Sequence, residues 1–316
     1  MKPLSVTQPE ISIVVISICP DNLAANLQHV VDAAEALTSA ELILVCQGYT
    51  PDLSRLQVQL PVTVVGAPRL LGISRARNCG ADEARGKFIS FLDDDVRPQP
   101  DFFERCVHEL NTRPELVGVL GALLVSGNGR SKLFSKFRRP ASPRLGTYEL
   151  WRLANGNTCV FRRSGLRFDP RLGVGTVFGS FEDADHLLAI ARLGTLAYLP
   201  DAVLFHPDMS EAEIFNPVRM CQYGRGLGGC FRKNPSWPGA VFFAGSLVNN
   251  LLRFLRLRPY PSMRARWSHV LAARAKIAGW LQWEQDALAC MDEPGELTVR
   301  HHDVVFQGQS RSSGQS

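Results

Sequence analysis

The sequence predicts an α/β protein with a mostly parallel central sheet and helices on both faces, followed by a helical, basic C-terminal region. Three observations carry this. Residues 11–18 (Ile-Ser-Ile-Val-Val-Ile-Ser-Ile) form a nearly continuous β-branched apolar run, as in a strand buried on both faces. Short apolar runs then alternate with helix-period segments through the first two thirds of the chain, the pattern of successive βαβ units. From Ile214 to Trp283 there are eleven Lys or Arg residues and no Asp or Glu.

The elements follow in order. Leu23, Leu27, Val30, Val31, Ala34 and Leu37 recur at helical spacing and lead into a second strand, Glu41–Cys46. A third strand is expected near Val62–Val65, a helix near Ser74–Arg85 and a fourth strand over Lys87–Leu92. A helix carrying Phe102, Phe103, Cys106, Val107 and Leu110 and a strand over Leu116–Leu124 complete a first half. Residues 126–148 read as a long loop, broken by Gly127, Gly129, Pro140, Pro143 and Gly146 and rich in Lys and Arg. A strand at Thr158–Phe161, a helix at Phe181–Leu193 stopped by Gly194, and a strand running to His206 form the second half.

Composition and absent motifs narrow the function. With 45% hydrophobic and 21% charged residues, the 316-residue chain can bury enough apolar surface to fold. No Gly-x-Gly-x-x-Gly follows the first strand and no Gly-x-x-x-x-Gly-Lys-Ser/Thr occurs, which argues against a dehydrogenase or a P-loop ATPase. The eight cysteines lack Cys-x-x-Cys pairs or zinc-type spacing and are expected as reduced, mostly buried thiols. The first ten residues have neither the apolar stretch nor the cleavage site of a signal peptide, which predicts a cytoplasmic protein. Ala240–Leu252 is uncharged but interrupted by Asn249-Asn250 and shorter than the roughly 20 residues that span a bilayer. Together with the basic charge it predicts peripheral contact with an anionic membrane, on the inner face of the plasma membrane. Nucleic acid is not an expected partner, because no zinc-finger spacing or RNA-recognition aromatic motif accompanies the basic residues.

The chemistry concentrates after the fourth strand. In open α/β sheets ligands bind beyond the carboxyl ends of the strands, and here that position holds Asp93-Asp94-Asp95. Three adjacent carboxylates repel one another unless a cation lies among them. Alternation on an extended segment puts Asp93 and Asp95 on one side and Asp94 on the other, and oxygen ligands suit magnesium or manganese. A solvated acidic turn is the plainer alternative. A second acidic cluster, Glu182-Asp183-Ala184-Asp185, opens a helix, where acids complement the dipole or could serve as a general base.

With the run Gly72-Ile-Ser-Arg-Ala-Arg77-Asn78, the Asp-x-Asp element, the Glu-Asp helix start and the later His206, the chain resembles glycosyltransferase family 2 from about Ile11 to Lys233. These are inverting enzymes of the GT-A fold, with a Rossmann-like sheet. The resemblance implies a nucleotide-sugar donor whose diphosphate is bridged by Mn2+ or Mg2+. It implies Asp95 as metal ligand, Asp93 near the ribose or metal, His206 completing the metal or diphosphate site, and Arg77 near the nucleotide. Asp94 is grouped with these donor-binding residues. Asp183 would be the catalytic base, with Glu182 and Asp185 supporting it or positioning the acceptor. Asn157, at the start of a strand facing the same end of the sheet, is a candidate for the acceptor pocket, and Arg225 for the departing diphosphate.

The family's Asp-Asp-Gly-Ser after strand two is replaced by Cys46-Gln47-Gly48-Tyr49, so Gln47, able to donate and accept, becomes the candidate reader of the base. The expected organisation is a tail over residues 1–10, a catalytic domain over 11–210, a helical region over 211–292 and a partly disordered tail over 293–316. The expected function is inverting sugar transfer to a glycan or lipid-linked acceptor in surface polysaccharide or glycolipid synthesis. A non-catalytic nucleotide-sugar-binding or membrane scaffold protein of the same fold is the alternative.

Overall fold

The computed structural model describes residues 8–127, 130–255, 263–284 and 297–302. The chain opens with β1 (Ile11–Ser17), α1 (Pro20–Glu35), β2 (Ala40–Gln47), β3 (Val62–Ala67), α2 (Ile73–Glu83) and β4 (Phe88–Asp93). These four strands pair in parallel in the order β3-β2-β1-β4, with β1 and β2 buried at every position. Burial on both faces is why they read as continuous apolar runs rather than alternating ones. Their carboxyl ends bring Ser17, Gln47 and Asp93 to one edge.

The second half is mixed. It comprises β5 (Arg97–Pro98), α3 (Phe102–Thr112), β6 (Leu116–Gly127), β7 (Arg130–Leu133), α4 (Thr147–Leu153), β8 (Cys159–Arg162), α5 (Glu182–Ile190) and β9 (Thr195–Pro207). Strand β8 lies antiparallel between β4 and β6, whereas β6 and β9 are parallel. A register shift at Gly121/Ala122 bulges β9, whose far end then pairs antiparallel with β5 at Arg97↔Phe205. That pairing sets His206 beside the turn that follows β4.

The stretch expected as a loop over 126–148 contains more structure. Strand β6 runs on to Gly127, β7 pairs back on it, and α4 begins at Thr147. Its breakers punctuate short elements instead of preventing them.

The C-terminal part consists of α6 (Glu211–Ile214), α7 (Pro217–Lys233), α8 (Trp237–Phe254), α9 (Met263–Gln282) and β10 (Thr298–His302). Helices α7 and α9 pack backbone to backbone: a Cβ on Gly228 would lie 2.0 Å from the Lys276 carbonyl oxygen. Strand β10 adds antiparallel to β3, so part of the expected tail completes the sheet edge. Residues 307–316, expected to be disordered, and Cys290 lie outside the described residues. Of the other cysteines, four are buried and three half-buried, all as free thiols.

Candidate active site

The site is built on Arg77, from the middle of α2. Its side chain is only 2% exposed, yet its guanidinium faces three carboxylates: Asp183 at 2.6 Å, Glu182 at 3.3 Å and Asp93 at 3.5 Å. The Phe168 ring lies 5.1 Å away. Burial opposes the charge, but Asp183, Asp93 and Glu182 outweigh it and raise the Arg77 pKa. Arg77, expected near the nucleotide, is a buried post that ties the end of β4 to the start of α5.

Asp183 is the most accessible of the carboxylates at the start of α5, with a side chain 22% exposed. The turn that delivers it is unusual, since Phe181 adopts φ 66°, a left-handed conformation that costs energy for a bulky residue. Aromatic packing opposes that cost, with the Trp151 and Phe242 rings 6.2 and 6.3 Å from Phe181. On the other side Gly156 is required, because a Cβ there would lie 2.5 Å from Asp183 Oδ1 and 2.8 Å from Arg77 Nη2. Neighbouring Glu182 is buried, and burial together with Asp183 pushes it up to about 8 against the pull of Arg77.

The sign of that shift gives a first prediction. A carboxyl group held more tightly protonated in the folded state loses its favourable contribution as pH rises from its ordinary value of 4.5 toward 8. Wild-type stability against urea is therefore expected to decline across this window. Glu182→Gln should flatten the decline, and parallel pH profiles for the two proteins would refute it.

The aspartate run divides three ways. Asp93 ends β4, and its carboxylate accepts from Asn157 Nδ2 at 2.9 Å while its amide donates to Asn157 Oδ1 at 2.6 Å. Asp94 Oδ2 accepts from Ser17 Oγ at 2.6 Å and from the Ile18 and Cys19 amides at 3.2 Å. Asp95 meets His206, with Nε2 3.5 Å from Oδ2. The expected alignment of Asp93 with Asp95 fails because strand alternation ends at Asp93 and the next two residues turn.

Asp95 and His206 fit a divalent cation. Asp95 Oδ1 is buried without a hydrogen-bond partner, and burial raises the carboxyl pKa, with His206 opposing and Asp93 and Asp94 adding to it. His206 Nδ1 lies 2.6 Å from the Pro207 carbonyl, which can only accept, so Nδ1 carries a proton and Nε2 is the nitrogen left to coordinate. Among the described residues no group of three or more His, Cys, Asp or Glu side chains gathers as a metal cage. A magnesium-type site with few protein ligands and substrate phosphate oxygens is consistent with that sparse set.

Several other expected site residues have structural work. Gln47 Oε1 accepts from the Leu71 amide at 2.8 Å, which ties the end of β2 to the loop before α2. Asn157 orients Asp93, and Asp94 clamps the start of α1. Asp185 accepts from Lys233 Nζ at 2.7 Å and Asn234 Nδ2 at 2.8 Å, which anchors α5 to the end of α7. Arg225 lines a cavity between α7 and α9 that includes none of the aspartates.

Sequence reasoning missed Lys136 and Tyr223. Lys136 Nζ donates to the Ala154 carbonyl at 2.6 Å, and burial lowers its pKa to about 8 while Asp183 pulls it up. Tyr223 accepts from Arg219 at 2.8 Å, and burial raises its pKa, with Arg219 opposing and Glu182 and Asp93 adding to it. The segment Gln222-Tyr-Gly-Arg225 was the available signal for Tyr223, and the basic run of the 126–148 stretch was the signal for Lys136.

Residues 13–169 match the profile described as glycosyl transferase family 2. The fold is similar to residues 1–349 of S. aureus TarS, at 14% identity and TM-score 0.51 over 92% of this chain and 96% of that one. It is also similar to the same protein in complex with UDP-GlcNAc, at 13% identity and TM-score 0.50, with 92% and 96% covered. The mannosyltransferase PcManGT from Pyrobaculum calidifontis, in complex with GDP-Man and Mn2+, aligns at 14% identity and TM-score 0.50 over 92% of this chain and 78% of that one. No curated protein sequence matches the chain. With the strand order and the acidic edge described above, the chain belongs, through residues 13–169, to glycosyl transferase family 2 and has a GT-A fold.

Proposed function

We propose that the protein is an inverting glycosyltransferase that moves a sugar from a nucleotide-sugar donor to a hydroxyl of a glycan or lipid-linked acceptor, in surface polysaccharide or glycolipid synthesis. The observation that carries this is Asp183: a carboxylate partly open to solvent, with one oxygen held 2.6 Å from a buried arginine, at the same sheet edge as Asp95 and His206. The nucleotide-sugars bound by the fold's neighbours support the donor class. Residues 11–210 would form the catalytic unit and 211–292 a helical accessory region.

In this reading Asp183 accepts the proton of the acceptor hydroxyl as its oxygen attacks the anomeric carbon. The bond from that carbon to the diphosphate oxygen breaks, and a single displacement inverts the centre. Arg77 fixes the direction of the Asp183 carboxylate, and Asn157 and Arg77 fix Asp93. Asp95 and His206 would hold Mn2+ or Mg2+, which supplies positive charge for the departing diphosphate.

Calorimetry tests the donor side. UDP or GDP is expected to bind measurably with Mn2+ and at least tenfold more weakly in a chelator, since facing carboxylates and phosphates otherwise repel. Asp95→Ala should abolish the difference. Metal-independent binding of equal strength would remove the cation from this account.

The same reading seats the protein peripherally on the cytoplasmic face of an anionic membrane. Among the described residues no helix is long and apolar enough to cross a bilayer. The outward stripe of α8 is nonetheless apolar: Trp237, Val241, Val248 and Leu251 are 80, 46, 53 and 54% exposed. Basic residues near such a surface contribute about 1 kcal/mol each. Vesicle flotation should require anionic lipid, weaken with salt and be lost in Trp237→Glu/Leu251→Glu. Salt-insensitive flotation, or none, would count against the seat.

A further inference from the structure

A cavity of about 590 Å³ opens between α7, α9 and the loop around Thr176 and Val177. Its walls are largely apolar, with Val177, Val218, Leu271 and Ala278 among them, yet two arginines, Arg225 and Arg274, also line it. Several other described cations of the basic region are engaged. Arg232 pairs with Glu284, Lys233 with Asp169 and Asp185, Arg266 donates to the Phe254 carbonyl and Lys276 to that of Ser246. Among the described residues neither Arg225 nor Arg274 has a hydrogen-bond or ion-pair partner. Two unneutralised guanidinium groups beside apolar walls match a ligand that is anionic at one end and hydrocarbon at the other.

The cavity's position agrees. Leu271, 38% exposed, and Arg274 lie on the same outward side of α9 as Trp267, which is 59% exposed, so the cavity meets the surface where the apolar residues are. At its inner side Gln222 packs against Gly179, where a Cβ would lie 2.7 Å from that of Gln222, and Gly179 stands four residues before Asp183. One end thus opens on the exposed apolar side of α9 and the other lies against the segment that leads to Asp183.

We propose that this cavity binds the phosphate or diphosphate ester of an apolar alcohol, Arg225 and Arg274 holding the phosphate and Val177, Val218 and Leu271 the start of the chain. The acceptor is then a sugar carried on such a lipid phosphate, whose hydroxyl attacks the donor and gives its proton to Asp183. This rests on the transfer reaction proposed above and specifies the acceptor that it uses.

Titration calorimetry of the full chain with decyl phosphate, below its micellar concentration, tests it. Decyl phosphate should bind at least tenfold more tightly than decanol or inorganic phosphate, because each lacks half of what the cavity recognises. Arg225→Gln/Arg274→Gln should lose at least tenfold. Arg274→Glu, at an exposed position where folding is not at stake, should lose as much, and decyl phosphate should raise the melting temperature of the wild type alone. Equal binding of decanol or inorganic phosphate, undiminished binding by Arg274→Glu, or displacement of decyl phosphate by UDP would each overturn the assignment. The two readings fail separately: a protein that binds decyl phosphate but never transfers sugar refutes the enzyme, and one that consumes donor but ignores decyl phosphate refutes this site.

Discussion

Asp183→Asn is expected to lower sugar transfer by roughly 100-fold or more while leaving the fold and nucleotide affinity in place, the usual scale for losing a general base. The substitution is nearly isosteric, and an amide oxygen can still accept from Arg77. The guanidinium keeps the Glu182 and Asp93 carboxyl groups as partners at 3.3 and 3.5 Å. What disappears is proton acceptance. The neighbours cannot substitute: Glu182 is buried and faces Arg77, and both oxygens of Asp185 are taken by Lys233 and Asn234. Transfer assayed under saturating donor and acceptor separates this from a binding defect. A variant within a few-fold of wild type would move the base away from α5 altogether.

The first half of the fold was legible because parallel strands buried on both faces must be apolar throughout, and little but β1 to β4 produces such runs. The hairpin of β6 and β7 and the short helix α4 were not, since glycines and prolines between elements look the same as those inside a loop. At the site, residue identity located the acidic edge but not the division of labour along it. The partners of Asp94 and Asn157, Ser17 with the Ile18 and Cys19 amides and Asp93, come within reach only through the way β1 and β8 approach β4. The left-handed Phe181 leaves no trace in sequence, as its conformation is imposed by Trp151 and Phe242 from distant helices. The burial of Arg77 was not legible either, because only the assembly of β4, α2 and α5 encloses it.

That burial sets the largest expected stability effect. Arg77→Met would leave Asp93, Glu182 and Asp183 facing one another with no cation among them, and removing one partner of a buried ionic cluster costs about 3–5 kcal/mol. Hydrophobic volume is roughly conserved, and Met can still pack on Phe168, so a cavity is not the cause. The pH dependence identifies the mechanism. Without the guanidinium, mutual repulsion holds these carboxyls above their unfolded values, so the folded state binds protons more tightly and the variant gains stability relative to wild type as pH falls. Urea denaturation should therefore show a deficit that is largest near neutral pH and shrinks toward pH ~5. Arg77→Lys keeps the charge on a shorter reach and loses the planar fork that spans three partners, so it should lie between the two. A deficit below about 1 kcal/mol for Arg77→Met, or one that is independent of pH, would mean that the three carboxylates do not depend on Arg77 for their place in the site.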